Sequence, residues 1–494
     1  MSITIHVNNV NCKFSEAPSE VVIDHIRTEL RYKNDADNPF TKRKFYKKNV
    51  QIAEYKYLYH KGQKSFPTGL LDIVETILKK NRVDYVIDDH RPSYPIKDPI
   101  PLLSYDLRGY QKEAEKQVLE SKNCIVRIAT GGGKTAIMAS LAGKLHGYNQ
   151  IVFVRRQMLL AQTIEVFQRE LGIEIGQLGA GIVDIKPLTI AMIPTVARAI
   201  DDKWSFQAEN DDDEDDNTKL NEKQREEIQK YLSSCESITI DECHCLGADT
   251  AQLVSNYATN ARYRIGLSGS PWRDDGKDIL LSAVTGPRVV DIDASFLIER
   301  GFLVAPHVYF FETPSVRIPL FQQGKYQDTY KEFMVENESR NQLILDKTIE
   351  AYNRFEKVLI LVQQVEHGRR LQEALEEQGV WVDYLSGKNT AVTRKEVINQ
   401  FRQRSRSVLI GSSILNEGVD LPEITVLINA AGGKSSVQYY QKIGRALRLC
   451  DDKNRAIIID FLDRGIKFMD KHARARIKIV RTESLYKLKI QGEQ

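Results

Sequence analysis

Long apolar runs are missing from this chain. No stretch approaches the roughly 18–20 consecutive apolar residues that a membrane-spanning helix needs. Cysteine is scarce, with six in 494 residues. That excludes a disulfide scaffold and points to reduced thiols in a cytoplasm. The opening Met-Ser-Ile-Thr-Ile-His-Val has neither a basic n-region nor an apolar h-region, so no secretory leader is expected. Neither sign of charge dominates overall, the formal net being +3. Secreted, membrane and fibrous classes are set aside on these grounds.

What is present is length, patterning and segregated charge. A chain of 494 residues that is 42% hydrophobic can bury several cores, and its length suggests about three domains. Residues 209–216 hold seven acids; the rest of the chain carries 70 basic and 60 acidic side chains, a net of +10. Two stretches concentrate the excess. Lys42–Lys64 has eight Lys/Arg, including Lys44, Lys47 and Lys48, against Glu54 alone; Arg464–Lys489 has nine against Asp470 and Glu483. A polyanionic partner is expected. The acidic run reads as a solvated insertion.

Residues 1–100 read as a small α+β unit, with strands at Ile3–Val7 and Val50–Tyr59 and helical spacing at Val21–Leu30 and Leu70–Leu78. Four prolines within Asp89–Pro101 predict a linker. Beyond it, apolar strands alternate with amphipathic helices: Cys124–Ile128, Ile151–Val154, Leu188–Met192, Ser237–Ile240 and Tyr263–Leu267. The alternation recurs at Val358–Val362, Trp381–Leu385, Ser407–Ile410, Thr425–Ile428 and Ala456–Asp460. The fold class is α/β, two tandem parallel-sheet lobes (101–300 and 301–494) after the small α+β domain. The basic tail should form a helix and then a strand-like end docked on the second lobe.

Thr130-Gly131-Gly132-Gly133-Lys134-Thr135 follows a strand and precedes a helix. Glycines let backbone N–H groups approach phosphate oxygens, and the helix N-terminus favours their charge. Lys134 should reach the β and γ phosphates and the Thr135 hydroxyl should bind Mg²⁺, so the expected cofactors are ATP and Mg²⁺. The strict pattern would want glycine at Ile128, so this is a variant loop. Asp241-Glu242 follows the apolar run Ile238–Ile240. One acid can hold the metal and the other activate water; Asp241 takes the first role and Glu242 the second. Cys243-His244-Cys245 has spacing too tight for good tetrahedral zinc chelation.

Tyr110-Gln111, the Gly-Gly-Gly-Lys-Thr loop, Asp241-Glu242-Cys243-His244 and Leu267-Ser268-Gly269-Ser270-Pro271 stand in the order of the superfamily 2 helicases and translocases. Asn416-Glu417-Gly418-Val419-Asp420-Leu421-Pro422 and Gln441-Lys442-Ile443-Gly444-Arg445-Ala446-Leu447-Arg448 resemble that superfamily's fifth and sixth motifs. The resemblance, over residues 105–465, implies RecA-like lobes. It implies that Arg108 and Gln111 read adenine, and that Gln441, Arg445 and Arg448 stabilise charge on the transferring phosphoryl. Gly418 and Asp420 would bind nucleotide from the second lobe. Arg155 and Thr195 would touch a nucleic-acid backbone, and His244, Ser268 and Ser270 would couple that track to hydrolysis. The tetrad, Trp272-Arg273-Asp274-Asp275-Gly276 and Glu338-Ser339-Arg340-Asn341 resemble the UvsW-type phage branch-migration helicases and, more distantly, XPB-like translocases. The implied partner is branched or forked DNA, handled with little sequence preference in replication, recombination or repair. If the source is viral, the location is the host cytoplasm. An RNA helicase, a restriction-system motor and an ATP-gated DNA clamp are the alternatives. In the Lys42–Lys64 stretch, strand alternation should set Tyr55, Tyr57 and Tyr59 on one face, against the core, and Lys56 on the other.

Overall fold

The computed structural model describes residues 2–33, 55–201, 218–245, 248–270, 277–314, 326–354, 356–387, 389–412, 421–433, 435–450 and 453–491. The acidic run, Lys44, Lys47, Lys48, Gly418 and Asp420 lie outside them. The chain forms two compact units, dividing near residue 292. Among the described residues no helix is long and apolar enough to cross a membrane.

The first unit begins with a four-stranded sheet, built from β1 (Ile3–Val7), β2 (Asn11–Phe14), β5 (Ser65–Pro67) and β6 (Tyr85–Asp89) in the order β5-β2-β1-β6. Helices α1 (Glu20–Glu29) and α2 (Leu71–Lys80) cover one face through Val22, Ile23, Ile26, Val74, Ile77 and Leu78. A two-stranded ribbon, β3 (Arg31–Lys33) with β4 (Tyr55–Tyr57), stands beside it. Only Tyr59 of the three expected tyrosines is buried, at 3% exposed. Tyr57 and Tyr55 instead lie beneath the guanidinium groups of Arg27 and Arg31, at 4.1 and 4.3 Å from the ring centroids. The three tyrosines therefore do not share one environment, as a single core-facing row would require: Tyr59 is in the core, and arginines cover the rings of Tyr55 and Tyr57.

An eight-stranded sheet follows, comprising β7 (Asn123–Ile128), β8 (Gln150–Val154), β9 (Gly176–Gly179), β10 (Ile182–Asp184), β11 (Leu188–Met192), β12 (Ser237–Ile240), β13 (Tyr263–Ser268) and β14 (Arg288–Ile292). Its order is β10-β9-β11-β8-β12-β13-β7-β14, and β9, β11, β8, β12, β13 and β7 run parallel. Buried on both faces, β8, β11, β12 and β13 show no residue to solvent, which is why they read as largely apolar runs, with Arg264 of β13 the one charged residue among them. Helices α3 (Gly109–Ser121), α4 (Lys134–Lys144), α5 (Gln157–Leu171), α6 (Ile193–Ile200), α7 (Glu222–Ser234), α8 (Ala248–Tyr257) and α9 (Asp278–Thr285) connect the strands.

Helix α9 has two working faces. Leu281 and Val284 belong to the core of this sheet, while Leu280 and Ala283 complete the core of the N-terminal domain. The proline-rich segment is strapped onto the lobe: Tyr148 Oη donates to Tyr94 O at 2.7 Å, and Ile100 N donates to Gly143 O at 3.0 Å. The small domain and the first lobe thus form one unit.

The second unit holds a seven-stranded sheet. Its strands are β15 (Pro306–Glu312), β16 (Lys357–Leu361), β17 (Val382–Leu385), β18 (Ser407–Gly411), β19 (Val426–Asn429), β20 (Ala456–Leu462) and β21 (Lys487–Ile490), in the parallel order β17-β18-β16-β19-β20-β15-β21. Its helices are α10 (Ala294–Glu299), α11 (Tyr326–Tyr330), α12 (Glu338–Asn353), α13 (Val365–Glu377), α14 (Ala391–Gln403), α15 (Ser436–Ala446) and α16 (Lys467–Thr482). The basic tail is α16 followed by β21, which closes the sheet against β15, as the residue pattern predicts.

Candidate ATP site

The topology explains which residues meet. Strands β12, β13 and β7 are neighbours, and each ends in a short functional segment on the same edge of the sheet. The loop after β7 leads into α4 at Lys134; Asp241-Glu242 follows β12; Ser268 ends β13. Gly131 and Gly133 take φ of +87° and +81°, a left-handed conformation that a side chain would strain. A Cβ at Gly133 would lie 2.3 Å from Gln111 Nε2, so the glycine lets α3 close on the loop. Gln111 Oε1 accepts the Arg108 N–H at 2.8 Å and caps α3.

Lys134 Nζ forms an ion pair with Glu242 Oε1. Ser268 Oγ lies 3.3 Å from Glu242 Oε2 and 2.7 Å from His244 Nδ1, and the Ser270 N–H donates to Ser268 Oγ at 3.1 Å. One chain of contacts therefore runs from the loop lysine through the acid to the serines. Burial alone would raise the Glu242 carboxyl, but the Lys134 ammonium and His244 outweigh it and hold it below its ordinary range. Burial would lower Lys134; the Glu242 and Asp241 charges reverse that and leave it raised. Glu242 sits at φ +46°, an uncommon conformation for a non-glycine residue, while the Asp241 carboxylate accepts the Glu242 N–H at 3.0 Å. Left-handed glycines, a helix N-terminus, a lysine and adjacent acids fit a metal-bound triphosphate.

In the second unit α15 carries Gln441 and Arg445, both buried, with Arg448 just beyond its end and half-buried. The helix is held from within. Lys442 Nζ donates to Asn429 Oδ1 at 3.1 Å, and Asn429 Nδ2 donates to Asp460 Oδ2 at 3.0 Å. Arg476 of α16 clasps Asp460 through Nε and one terminal nitrogen, each at 2.9 Å. Burial, with Arg476 adding to it, pushes Lys442 down to about 8.

Residues 104–273 match the family model described as type III restriction enzyme, res subunit, and residues 340–450 match the helicase conserved C-terminal domain. The chain belongs to the superfamily 2 helicases. It is 24% identical over 383 residues to putative helicase 22 of a Sulfolobus islandicus filamentous virus, covering 74% of this chain and 65% of the relative. It thus spans just under two thirds of that relative's length. It is 23% identical to the DNA 3'-5' translocase XPB2 of Sulfurisphaera tokodaii, covering 80% and 89% of the two chains. To the ATP-dependent DNA helicase uvsW of phage T4 it is 25% identical, covering 76% and 72%. A solved fragment of a putative HsdR subunit of a type I restriction enzyme from Vibrio vulnificus superposes with a TM-score of 0.54 at 18% identity, covering 84% and 73%, and shares the fold.

Within this superfamily 2 chain the structure brings Lys134, Glu242, His244, Ser268 and Ser270 together, with Asp241 beside Glu242 and Thr135 next to Lys134. Thr195 is buried on α6, between Pro194 and Val196 in sequence. Arg155 is half-buried just past the end of β8. The Asp460–Arg476 clasp is not legible in the sequence, because Arg476 lies in a basic run whose charge points to a polyanionic partner. Its one signal is the apolar spacing around it: Met469, Ala473, Ile477 and Val480 mark the buried face of α16. Arg340, part of the family-like tetrapeptide, is likewise internal, with Nε 2.9 Å from Asp463 Oδ1.

Proposed function

We propose that this chain is an ATP-dependent DNA helicase or translocase that remodels forked and junction DNA in replication, recombination or repair. The observation that carries the reading is the contact chain Lys134–Glu242–Ser268–His244, which joins the phosphate loop, the candidate base and the coupling serines. In this reading Lys134 leaves Glu242 for the β and γ phosphates when ATP enters, and the released carboxylate orients the attacking water. Thr135 and Asp241 hold Mg²⁺, while Arg108 and Gln111 serve the adenine. Gln441, Arg445 and Arg448 stabilise the transferring phosphoryl, and Gly418 and Asp420 bind nucleotide from the second lobe.

DNA as the polyanion is supported by the relatives named DNA helicase and DNA translocase. Arg155 contacts the DNA backbone from the first lobe, and Lys44, Lys47 and Lys48 contact duplex DNA. The site of action is the cytoplasm, that of the host if the chain is viral. The family model described as a restriction-enzyme res subunit favours a second reading, the motor of a restriction or nuclease system.

The deciding experiment measures ATP turnover on matched single-stranded, duplex, forked and four-way DNA and on RNA, with Glu242→Gln as control. Turnover driven by branched DNA and lost in the control is expected. Stimulation by plain duplex alone would favour the restriction motor, and stimulation mainly by RNA would overturn the substrate. Turnover without strand displacement or branch migration would leave a DNA clamp.

A further inference from the structure

The parallel pairing of β1 with β6 makes His6 and Asp88 register partners. Side chains alternate along a strand, so His6 points away from its core-facing neighbours Ile5 and Val7, both fully buried. His90 lies two residues beyond Asp88, and its N–H still bonds Val7 O at 2.9 Å. That extends the ladder past the end of β6 and returns His90 to the face of Asp88.

Three side chains converge as a result. His6 Nδ1 and His90 Nε2 each lie 2.8 Å from the same atom, Asp88 Oδ2. The imidazole rings stack with centroids 5.8 Å apart and planes at 27°. The three candidate ligand atoms all fall within 4.8 Å of one another, and among the described residues no other group of three His, Cys, Asp or Glu side chains does so. His6 and Asp88 are 46% and 45% exposed and His90 is 61% exposed, so an ion has an open approach. Asp89 points to the other face and is clasped by Arg91, with Nε 2.8 Å from Asp89 Oδ1.

We propose that His6, Asp88 and His90 form a divalent transition-metal site that pins the first strand of the N-terminal domain to its last. Two imidazoles and one carboxylate suit zinc; magnesium and calcium prefer oxygen ligands throughout. Around a tetrahedral ion with bonds of about 2.0–2.2 Å, donor atoms stand roughly 3.3 Å apart. The two short contacts need to open by about 0.5 Å, and the two imidazole nitrogens, within 4.8 Å of each other, to close by up to about 1.5 Å, which side-chain rotation in exposed residues supplies. Water fills the fourth position. The ion displaces any proton on each coordinating nitrogen, to the ring's other nitrogen in a neutral imidazole and to solvent in an imidazolium, so binding weakens on acidification and releases protons only in acidic buffer. The ligands stand 82 residues apart in sequence, so the ion would close most of this domain into one loop.

The test titrates the full-length, chelator-treated protein with Zn²⁺ and with Co²⁺, in excess Mg²⁺ to occupy oxygen-ligand sites. Calorimetry and the visible ligand-field spectrum of Co²⁺ are read. One equivalent per chain is expected, with tetrahedral nitrogen–oxygen absorption, proton release in mildly acidic buffer and a Zn²⁺-dependent rise in melting temperature. All four should vanish in the double variant His6→Asn, His90→Asn, whose melting in chelator should match the parent. His90→Asn alone, beyond the strand end, should weaken binding at least tenfold if the double variant folds poorly. Absence of a bound equivalent, or one that survives both variants, would overturn the site and leave a hydrogen-bonded cluster.

Discussion

Replacing Arg476 with alanine should cost the second lobe far more than a surface arginine can. The side chain is 2% exposed and Asp460 is fully buried. Arg476 makes the two 2.9 Å bonds of a bidentate clasp on Asp460, donates to Gly433 O at 2.7 Å and lies 3.2 Å from Phe461 O. Without it, Asp460 keeps the Asn429 amide at 3.0 Å and the Phe461 N–H at 2.7 Å, but its countercharge is gone. Removing one partner of a buried pair costs about 3–5 kcal/mol, most of it the penalty of the stranded charge. With a urea m value of about 1–3 kcal/mol/M, the unfolding midpoint should fall by at least about 1 M. Arg474→Ala is the internal control. It stands two residues away on the same helix, 64% exposed, in an i,i+4 pair with Asp470. Its cost should stay below about 0.5 kcal/mol. Because Asn429 also holds Lys442 on the helix of Gln441 and Arg445, ATP turnover should fall in Arg476→Ala and not in Arg474→Ala. Equal denaturation midpoints for the two variants would refute the argument.

Glu242→Gln should lower nucleic-acid-stimulated ATP turnover by about 10²–10⁴-fold, the range of a lost general base. It should keep or tighten ATP binding, since Lys134 no longer has an ion pair to leave; weakened binding by equilibrium titration would contradict the resting pair. Gly69→Ala should destabilise the first unit by about 1–3 kcal/mol, because its Cβ would meet Ser282 O at 2.0 Å and Ala283 O at 2.8 Å on α9. Gly62→Ala, with nothing within 4 Å, is the matched control, and equal melting temperatures for the two would count against the close approach. The Lys134–Glu242 pair also predicts a pH dependence. The Glu242 value is depressed from 4.5, so its contribution is complete above that pH and is lost as pH falls through the folded value. The Lys134 value is raised from 10.5, so its contribution is complete below that pH and is lost as pH rises through the folded value. Thermal melting of the parent against Lys134→Met should show a stability difference that is flat in between and shrinks at both extremes.

The strands that the sequence makes legible are those with no solvent face. β8, β11, β12 and β13 are buried throughout, so apolar residues dominate them, and the single charge among them, Arg264 of β13, is itself buried. Once strands and helices alternate, a glycine loop after one strand and an acid pair after another must share the carboxyl edge of the sheet, and Lys134 and Glu242 meet there. The hairpin β9–β10 escapes notice because Gly-Gln-Leu-Gly and Ile-Val-Asp carry no apolar alternation long enough to mark a strand. The register of β1 against β6 is also invisible, since it joins segments that local pattern leaves independent, and His6 and Asp88 are found only through it. Arg476 is misleading for a third reason: composition records its charge but not which side of the helix it occupies.

The shared core at α9 bears on how an accessory domain can influence hydrolysis. Leu280 and Ala283 pack into the N-terminal domain while Leu281 and Val284 pack into the first lobe. Neither interface can slide without exposing apolar surface on the same eight-residue helix. The strap at Tyr94 and Ile100 adds a second attachment. A load on the N-terminal domain is therefore borne by the first lobe rather than absorbed by a hinge between them. The helix begins eight residues after Ser270, and its last residue, Thr285, lies beside Gly266 of β13 and near Cys243, the neighbour of Glu242. DNA gripped by the small domain would then act on the position of α9 relative to β13, and through Ser268 on the carboxylate that Lys134 holds in the resting protein. Lengthening the Asp89–Pro101 strap with flexible residues should leave such coupling intact, whereas Leu280→Ala together with Ala283→Ser, which loosens α9 on the N-terminal side alone, should lower DNA-stimulated turnover and spare the DNA-independent rate. Loss of both rates in proportion would show that α9 only holds the fold together.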